Sequence, residues 1–498
     1  MMFRRSNLFR NGMLILVVPA LLCGACMVGP NYKRPAAPVP AAFKEPPTDN
    51  PEEIDRWKPA QPNEAVVRGK WWEIYNDPQL NALEDQVNIS NQNVLLAAAQ
   101  FREASDAVRI ARSALFPTIS TSPSYTRSAS SSTLFNASLG NLTSGQRNVY
   151  DLPGSISYTA DIWGSIRRSV QAGVATAQAS FAQLENARLS YQATLAEDYF
   201  ELHGTDGDED LLQTTVKSYQ DYLKLTQDRF NSGVASGADV AQAQTQLDTA
   251  QAQLIDYGVA RAQYEHAIAI LAGKPPAEVT IAPSPIKIVP PPVPVTVPST
   301  LLERRPDVAA AERQMASQNE QIGIAKAAYY PSLTLSATGG LEAGQLYNWL
   351  TWPSRFWSIG PTLSETIFDA GKRRAQLAEA RDTYDATVAN YRQTVLTAFQ
   401  QVEDNMAALR VLENEAVAEA AAVKAAQDAL DISTYQYKAG TVDYLTVITE
   451  QGILLGDQVQ QVNILTRRMT SSVLLVEALG GGWNASALPT AQNLIHGK

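Results

Sequence analysis

Side chains that could do chemistry are few and scattered. His203, His266 and His496 lie far apart, and none stands in an HExxH setting. The sequence has no GxSxG elbow, no Walker loop and no CxxC pair with histidines. Its seven methionines form no row that could pass a soft metal along thioethers. Each histidine reads as a helix or terminal surface residue. The chain is therefore read as not an enzyme, with no catalytic residue, no metal site and no cofactor. The cysteines are the exception. Arg4, Arg5 and Arg10 precede an apolar run from Met13 to Leu22, and Gly24-Ala25-Cys26 follows. Such an N-terminus is a secretory signal, too short to span a bilayer. A cysteine directly after small residues at the end of a signal is placed to become residue one and carry acyl chains. A plain cleaved signal is the alternative, because Cys23 sits three before Cys26, where leucine is usual. Cleavage removes Cys23 and leaves no disulfide, so stability rests on packing.

Composition bounds the rest. The 498 residues are 45% hydrophobic and 18% charged, which fits neither a disordered chain nor a multi-pass helical membrane protein. The formal charge is −10, and loss of the three N-terminal arginines makes it more negative still. That balance argues against nucleic-acid binding and suits a surface or lumen that tolerates cations. Solubility alone explains it equally well. No later stretch approaches 18 consecutive apolar residues, so a second membrane contact would be made of strands.

The elements that must position any site come in two copies of one plan, at a period of roughly 207 residues. Phe116-Pro117 corresponds to Tyr330-Pro331. The segment from Asp161 to Arg168 corresponds to that from Ile367 to Arg374, and Phe230-Asn231-Ser232-Gly233 to Tyr437-Lys438-Ala439-Gly440. The expected division is a signal peptide (1–25), a lipid anchor with a Pro-rich strap (26–65), a first repeat (66–282), a Pro-rich linker (283–298), a second repeat (299–479) and a tail (480–498). Each repeat reads as helix, β-hairpin, long helix and helix. The opening helices are expected over Asp77–Leu115 and Ser299–Tyr329, the hairpins over 117–163 and 331–368. Apolar or small residues from Ile166 to Leu202 recur with the 3.6 period of a helix face. The second copy repeats this from Tyr384 to Leu409. The long helices, expected over 164–230 and 371–438, contain no proline and would each span about 100 Å. His203-Gly204 and Gly207 fall inside the first and would allow a local break there. Shorter helices are expected over 239–272 and 443–479. Long helices alone would equally suit a structural spacer.

The hairpins point elsewhere. Ile156, Tyr158, Ala160 and Ile162 alternate with Ser155, Ser157, Thr159 and Asp161. Leu333, Leu335 and Ala337, and Trp357, Ile359, Pro361 and Leu363, alternate with small polar residues in the same way. One apolar and one hydroxyl-rich face is the pattern of a transmembrane barrel, though a half-buried soluble sheet shares it. Tyr347, Trp349, Trp352, Phe356 and Trp357 cluster near one hairpin tip, where an aromatic girdle would sit. The other tip, Ser128 to Gln146, reads as an exposed loop. One chain supplies about four strands, whereas a bacterial barrel needs at least eight, so the chain must oligomerise. Two, three or four copies all satisfy the count.

Together these features resemble the outer membrane factor family, the TolC/OprM-like exit ducts of tripartite efflux pumps, in its NodT-type lipoprotein branch. The resemblance covers nearly the whole mature chain. Cys26-Met27-Val28-Gly29-Pro30-Asn31-Tyr32 looks like the start of that branch, and Met27 after the cysteine points to the outer membrane. Trp71-Trp72 with Asp77-Pro78-Gln79-Leu80 fits the family's first-helix entry. The most specific match is Leu301-Leu302-Glu303-Arg304-Arg305-Pro306-Asp307-Val308. On its own residues, that string reads as a helix start, with Pro306 in the first turn, Asp307 at the positive end, and Arg304 and Arg305 paired to carboxylates or carbonyls. The resemblance implies a homotrimer, a twelve-stranded transmembrane β-barrel continuous with an α-helical periplasmic barrel. It implies a passive channel that serves a periplasmic adaptor protein and an inner-membrane pump of the resistance-nodulation-division type. The anchor would sit in outer-membrane lipid.

It also places the periplasmic tip at the turns after the long helices, where Gly233 and Gly440 would take left-handed conformations. Threefold symmetry would turn Asp443 into a ring of carboxylates favouring cations. Tyr444 and Leu445 would close the bore, and Glu450, about two turns up, is a weaker lining candidate. Helix capping is the plainer role for Asp443. The second acid of the family's doubled ring is missing. Asp228, Arg229 and Asp239 would tie neighbouring helices shut by ion pairs, with a solvated surface role as the alternative.

Overall fold

A computed structural model describes residues 27–40, 42–45, 69–129, 146–293 and 302–497. Cys26 lies outside them. Helices dominate. The first repeat opens with α1 (Pro78–Ser90) and α2 (Gln92–Ser113), then strands β1 (Thr118–Thr121), β2 (Ser124–Ala129) and β3 (Gln146–Ala160). The long helix α3 (Ser165–Asn231) and α4 (Gly237–Leu271) follow. The second repeat runs α5 (Pro306–Ala327), β4 (Ser332–Ala343), β5 (Arg355–Ser364), α6 (Lys372–Ala439) and α7 (Tyr444–Ala478), and α8 (Ala491–His496) ends the chain.

Two sequence expectations need correction here. The opening helix is not continuous but breaks at Asn91. That residue leaves helical geometry, its Oδ1 accepts from Asn93 N (2.9 Å) and Val94 N, and its Nδ2 donates to Leu271 O at 2.8 Å. An asparagine that caps one helix while holding the end of another outcompetes the helical hydrogen bond it replaces. The break that His203-Gly204 would allow does not occur, because α3 is helical throughout its 67 residues. Gly204 instead meets α7, where an added Cβ would stand 2.3 Å from Thr466 Oγ1. The glycine serves close approach of two helices.

The strands form one antiparallel sheet in the order β1-β3-β4-β5, and β2 also pairs with β3. β1 and β2 keep one register along β3, so they are a single strand interrupted at Ser122-Pro123. Proline cannot donate to a ladder, which accounts for the gap. The two hairpins join side by side through β3 and β4. Register places Ile119, Ile156, Ala337 and Ile359 in one row across the sheet, and Ser120, Ser155, Thr338 and Ser358 in the next. Successive residues face opposite sides, so one face is apolar and the other carries hydroxyls. Ile119, Trp357, Ile359 and Leu363 are exposed.

The main core lies around the middle of the long helices. It gathers Trp71, Trp72, Leu195, Phe200, Tyr391, Val402 and Met469. A second apolar cluster, with Leu430, Tyr437, Tyr444, Val447 and Leu454, packs the far end of the bundle.

Candidate functional site

The far end is where the two long helices turn. Gly233 (φ 73°) and Gly440 (φ 77°) both take the left-handed conformation. The N–H of Gly440 closes the last turn of α6 by donating to Tyr437 O at 3.0 Å. Only a residue without Cβ takes this geometry freely.

Helix α4 restarts through a capping box. Asp239 N donates to Ser236 Oγ (3.2 Å), and Ser236 N donates to Asp239 Oδ2 (2.9 Å). Helix α7 restarts from Asp443, whose Oδ1 accepts from Thr446 N (3.1 Å) and Thr446 Oγ1 (2.8 Å). These two bonds hold the exposed Asp443 carboxyl below its ordinary range. It is thus charged and fixed at the tip. Asp239 is held in its own cap, and among the described residues of this chain it makes no bond to a neighbouring helix.

Tyr444 does not serve as a plug within this chain. It is 1% exposed and packs against Tyr437 at a ring separation of 5.2 Å. The direction of α7 against α6 turns residues 444 and 447 inward and leaves Leu445 54% exposed. Glu450 is half-buried and Asp228 exposed.

Arg229 does join the two long helices, though not through a carboxylate. Its Nη1 donates to Lys438 O at 3.1 Å, and its guanidinium lies 4.6 Å from the centre of the Tyr437 ring. Tyr222 and Thr434 add a hydroxyl contact at 2.9 Å between the same helices. The tip of α3 is thus tied to the tip of α6. The sequence signal for this tie was the alignment of Phe230 with Tyr437, which places both ends together.

The aromatic cluster near the sheet divides. Tyr347, Trp352 and Trp357 are each more than three-quarters exposed. Trp349 is half-buried, donates its Nε1 to Leu341 O at 3.2 Å and lies 5.8 Å from Tyr150. Phe356 precedes Trp357 on β5 and pairs with Gly340, so it faces the hydroxyl side, opposite Trp357. The five residues therefore do not form one belt.

Two buried networks escaped sequence reasoning. Arg168, 1% exposed, donates to Val28 O (2.7 Å), Pro30 O and Glu320 Oε2 (2.6 Å). Asp206 accepts from Ser284 N (2.8 Å), faces His203 Nδ1 (2.9 Å), and accepts from Arg261 Nε (2.7 Å). Burial would raise the Asp206 carboxyl, but these bonds outweigh it and hold it low. Arg305 pairs with Asp307 at 2.6 Å and donates to Ala478 O at 3.0 Å.

Among the described residues, no group of three or more histidine, cysteine or acidic residues could hold a metal ion. No described helix is long and apolar enough to cross a membrane.

A two-faced sheet on long helices, with turns far from it, defines a TolC-like outer-membrane channel fold. The chain belongs to the outer membrane efflux protein family, whose model matches residues 83–274 and 297–481. The probable efflux pump outer membrane protein TtgC of Pseudomonas putida is 28% identical over 475 residues, covering 95% of this chain and 96% of the relative. The toluene efflux pump outer membrane protein TtgF of P. putida is 30% identical over 474 residues, covering 94% and 97%. The solved outer-membrane channel OprN shares 27% identity at a TM-score of 0.81, covering 92% of this chain and 100% of its own. The Campylobacter jejuni channel CmeC, at 22% identity and a TM-score of 0.84 over 95% and 98%, shares the fold. The chain is accordingly an outer-membrane exit duct of an efflux pump, with a transport role and a periplasmic part.

Proposed function

We propose that three copies close a barrel of about twelve strands, through which small toxic compounds leave the periplasm passively. The carrying observation is the sheet. It has an apolar face, a hydroxyl face and two edges without a partner strand among the described residues, at β1/β2 and at β5. An open edge cannot face lipid, so the edges of neighbouring copies pair and the hydroxyl face lines the bore. Apolar or amphiphilic molecules are the cargo class, because the relatives named above belong to a toluene pump and to other efflux systems. A periplasmic adaptor and an inner-membrane pump of the resistance-nodulation-division type supply the coupling and the energy.

Control sits at the tip. Asp443 contributes one carboxylate per copy, and Leu445 is the exposed apolar residue beside it. Cys26 carries the acyl anchor. Its neighbour Met27 packs on Gly164, and Val28 N donates to Trp163 O at 3.1 Å, at the strand-to-helix junction. That junction is where the bilayer's inner surface would lie, which supports an anchor there.

Conductance in planar bilayers tests the duct. Discrete cation-preferring steps are expected from purified protein. A well-folded protein that never conducts, under any salt or voltage, sinks the reading and leaves a structural spacer.

A further inference from the structure

An apolar cleft of about 530 Å³ lies beside the strand-to-helix junction. Met27, Leu115, Val170, Val174, Ala175 and Ile495 line it, and the terminal helix α8 forms one wall. Its floor continues into a buried cluster of Val108, Val170, Val174, Ala177 and Leu494. The volume falls within the range of roughly 300–1,000 Å³ usual for small-ligand clefts. Nothing in the described chain fills it, and no transport step described above uses it.

We propose that this cleft holds one acyl chain of the lipid on Cys26. The inference rests on the lipid-anchor reading and deepens it. Met27 is both a wall of the cleft and the residue after Cys26. Consecutive Cα atoms stand ~3.8 Å apart, so an acyl group on Cys26 begins within one residue of the opening. The start of the strap cannot swing away. Val28 O accepts from Arg168 Nε at 2.7 Å, and Arg168 is itself buried against Glu320. Tethering makes filling intramolecular, with an effective concentration that a free lipid does not have. The lining surface is mostly apolar, which matches a hydrocarbon chain, although Arg167, Gln171, Gln178, Arg313 and Glu320 also border the cleft. The remaining chains enter the bilayer. One chain in protein and the others in lipid would fix the duct's height and rotation at the membrane surface.

The test feeds expressing cells a fatty acid bearing a terminal alkyne and a mid-chain diazirine. The full-length protein is purified, irradiated and digested, and cross-linked peptides are sequenced. Expected are adducts joining the Cys26 peptide to peptides holding Val170–Ala175 or Ile495. Val174→Trp should lower those adducts at least tenfold with incorporation at Cys26 unchanged. Label on Cys26 that cross-links only to phospholipid, strands or another copy overturns the cleft and spares the anchor. Absence of label on Cys26 overturns the anchor and the cleft together. Adducts on the same cleft peptides in Cys26→Ala would assign the cleft to free membrane lipid, which also overturns the proposal. The wild-type cross-link map decides alone should Val174→Trp fail to fold.

Discussion

Replacing Arg229 with alanine tests whether the tie between α3 and α6 holds the duct closed. The substitution removes one charged hydrogen bond, to Lys438 O at 3.1 Å, and one cation–ring contact, 4.6 Å from the Tyr437 centroid. A charged hydrogen bond contributes about 1.5–3 kcal/mol when fully desolvated. The bond to Lys438 O faces solvent, so it is discounted to about 0.5–1 kcal/mol, the net worth of an ordinary hydrogen bond. The ring contact adds about 0.5–1 kcal/mol at an exposed site. Together they give about 1–2 kcal/mol per chain, a 5–30-fold change in the closed-to-open ratio. If three copies open together, the total is about 3–6 kcal/mol, or roughly 10²- to 10⁴-fold. Single-channel open probability in planar bilayers reads this directly. Arg229→Ala should raise it by one of those two factors, and the size tells concerted from independent opening. Arg229→Lys keeps the charge but loses the planar face over Tyr437, so it should lie between. Unchanged open probability in Arg229→Ala, with protein of normal heat stability, refutes the tie as a latch. The two long helices would then move together as the gate opens.

Other outcomes follow from the same geometry. Asp443→Ala should lose both cation preference and a helix cap, and so lower the Tm, whereas Asp443→Ser should lose only the preference; equal selectivity in Asp443→Ser and the parent would remove the carboxylate ring. Gly204→Ala should lower the Tm, because overpacking against Thr466 costs about 1–3 kcal/mol. Gly456→Ala, with nothing within 4 Å of the added Cβ, should raise the Tm by helix propensity alone; shifts of the same sign would contradict the close approach. Burial, then Glu477, Asp198 and Glu201, push the Glu197 carboxyl up to about 7. Unfolded, it ionises near its ordinary value, so between the two the folded chain holds the extra proton and stability falls as pH rises. Thermal midpoints should therefore drop between pH 5 and pH 8, and drop less in Glu197→Gln; identical slopes would mean the carboxyl does not titrate there.

Much of this architecture is written in periodicity. The 3.6 period from Ile166 onward marks a helix face, and serine–isoleucine alternation marks a two-faced strand, because each pattern follows from local geometry alone. What fails to show is whatever a second element decides. Asn91 looks like one polar residue in a helix until the end of α4 supplies Leu271 O as its partner. Gly204 looks like a break until α7 lies against it. Tyr444 follows a capping aspartate, and nothing local reveals that its ring turns toward Tyr437. Phe356 is different: strand alternation alone separates it from Trp357, and clustering by composition obscured that. Arg229 was legible as a tie, but its partners were not, since a backbone carbonyl leaves no mark in a sequence.

The distribution of these ties bears on where the duct can yield. Around the middle, two straps are bolted across the helices by buried or half-buried charge. Tyr32 donates to Glu312 at 2.6 Å, Arg34 to Tyr391, Lys44 N and Glu45 N to Glu403, and Arg410 pairs with Glu45 at 2.6 Å. At the start of the linker, Ser284 N is held by Asp206, and just before it Ile281 N is held by Glu265 at 2.6 Å and Ile281 O by Arg261 at 2.7 Å. Removing one partner of a buried pair leaves the other unpaired at a cost, so each strap resists release. At the tip the charges behave otherwise. Asp239 and Asp443 cap their own helices, and Arg229 carries the guanidinium tie between α3 and α6. Local opening is drawn from regions with few buried contacts and solvent-facing hydrogen bonds. A partner pressing on this duct would therefore part the helices below the straps and leave the middle closed. Movement then starts at Gly233 and Gly440 and dies out before Asp206.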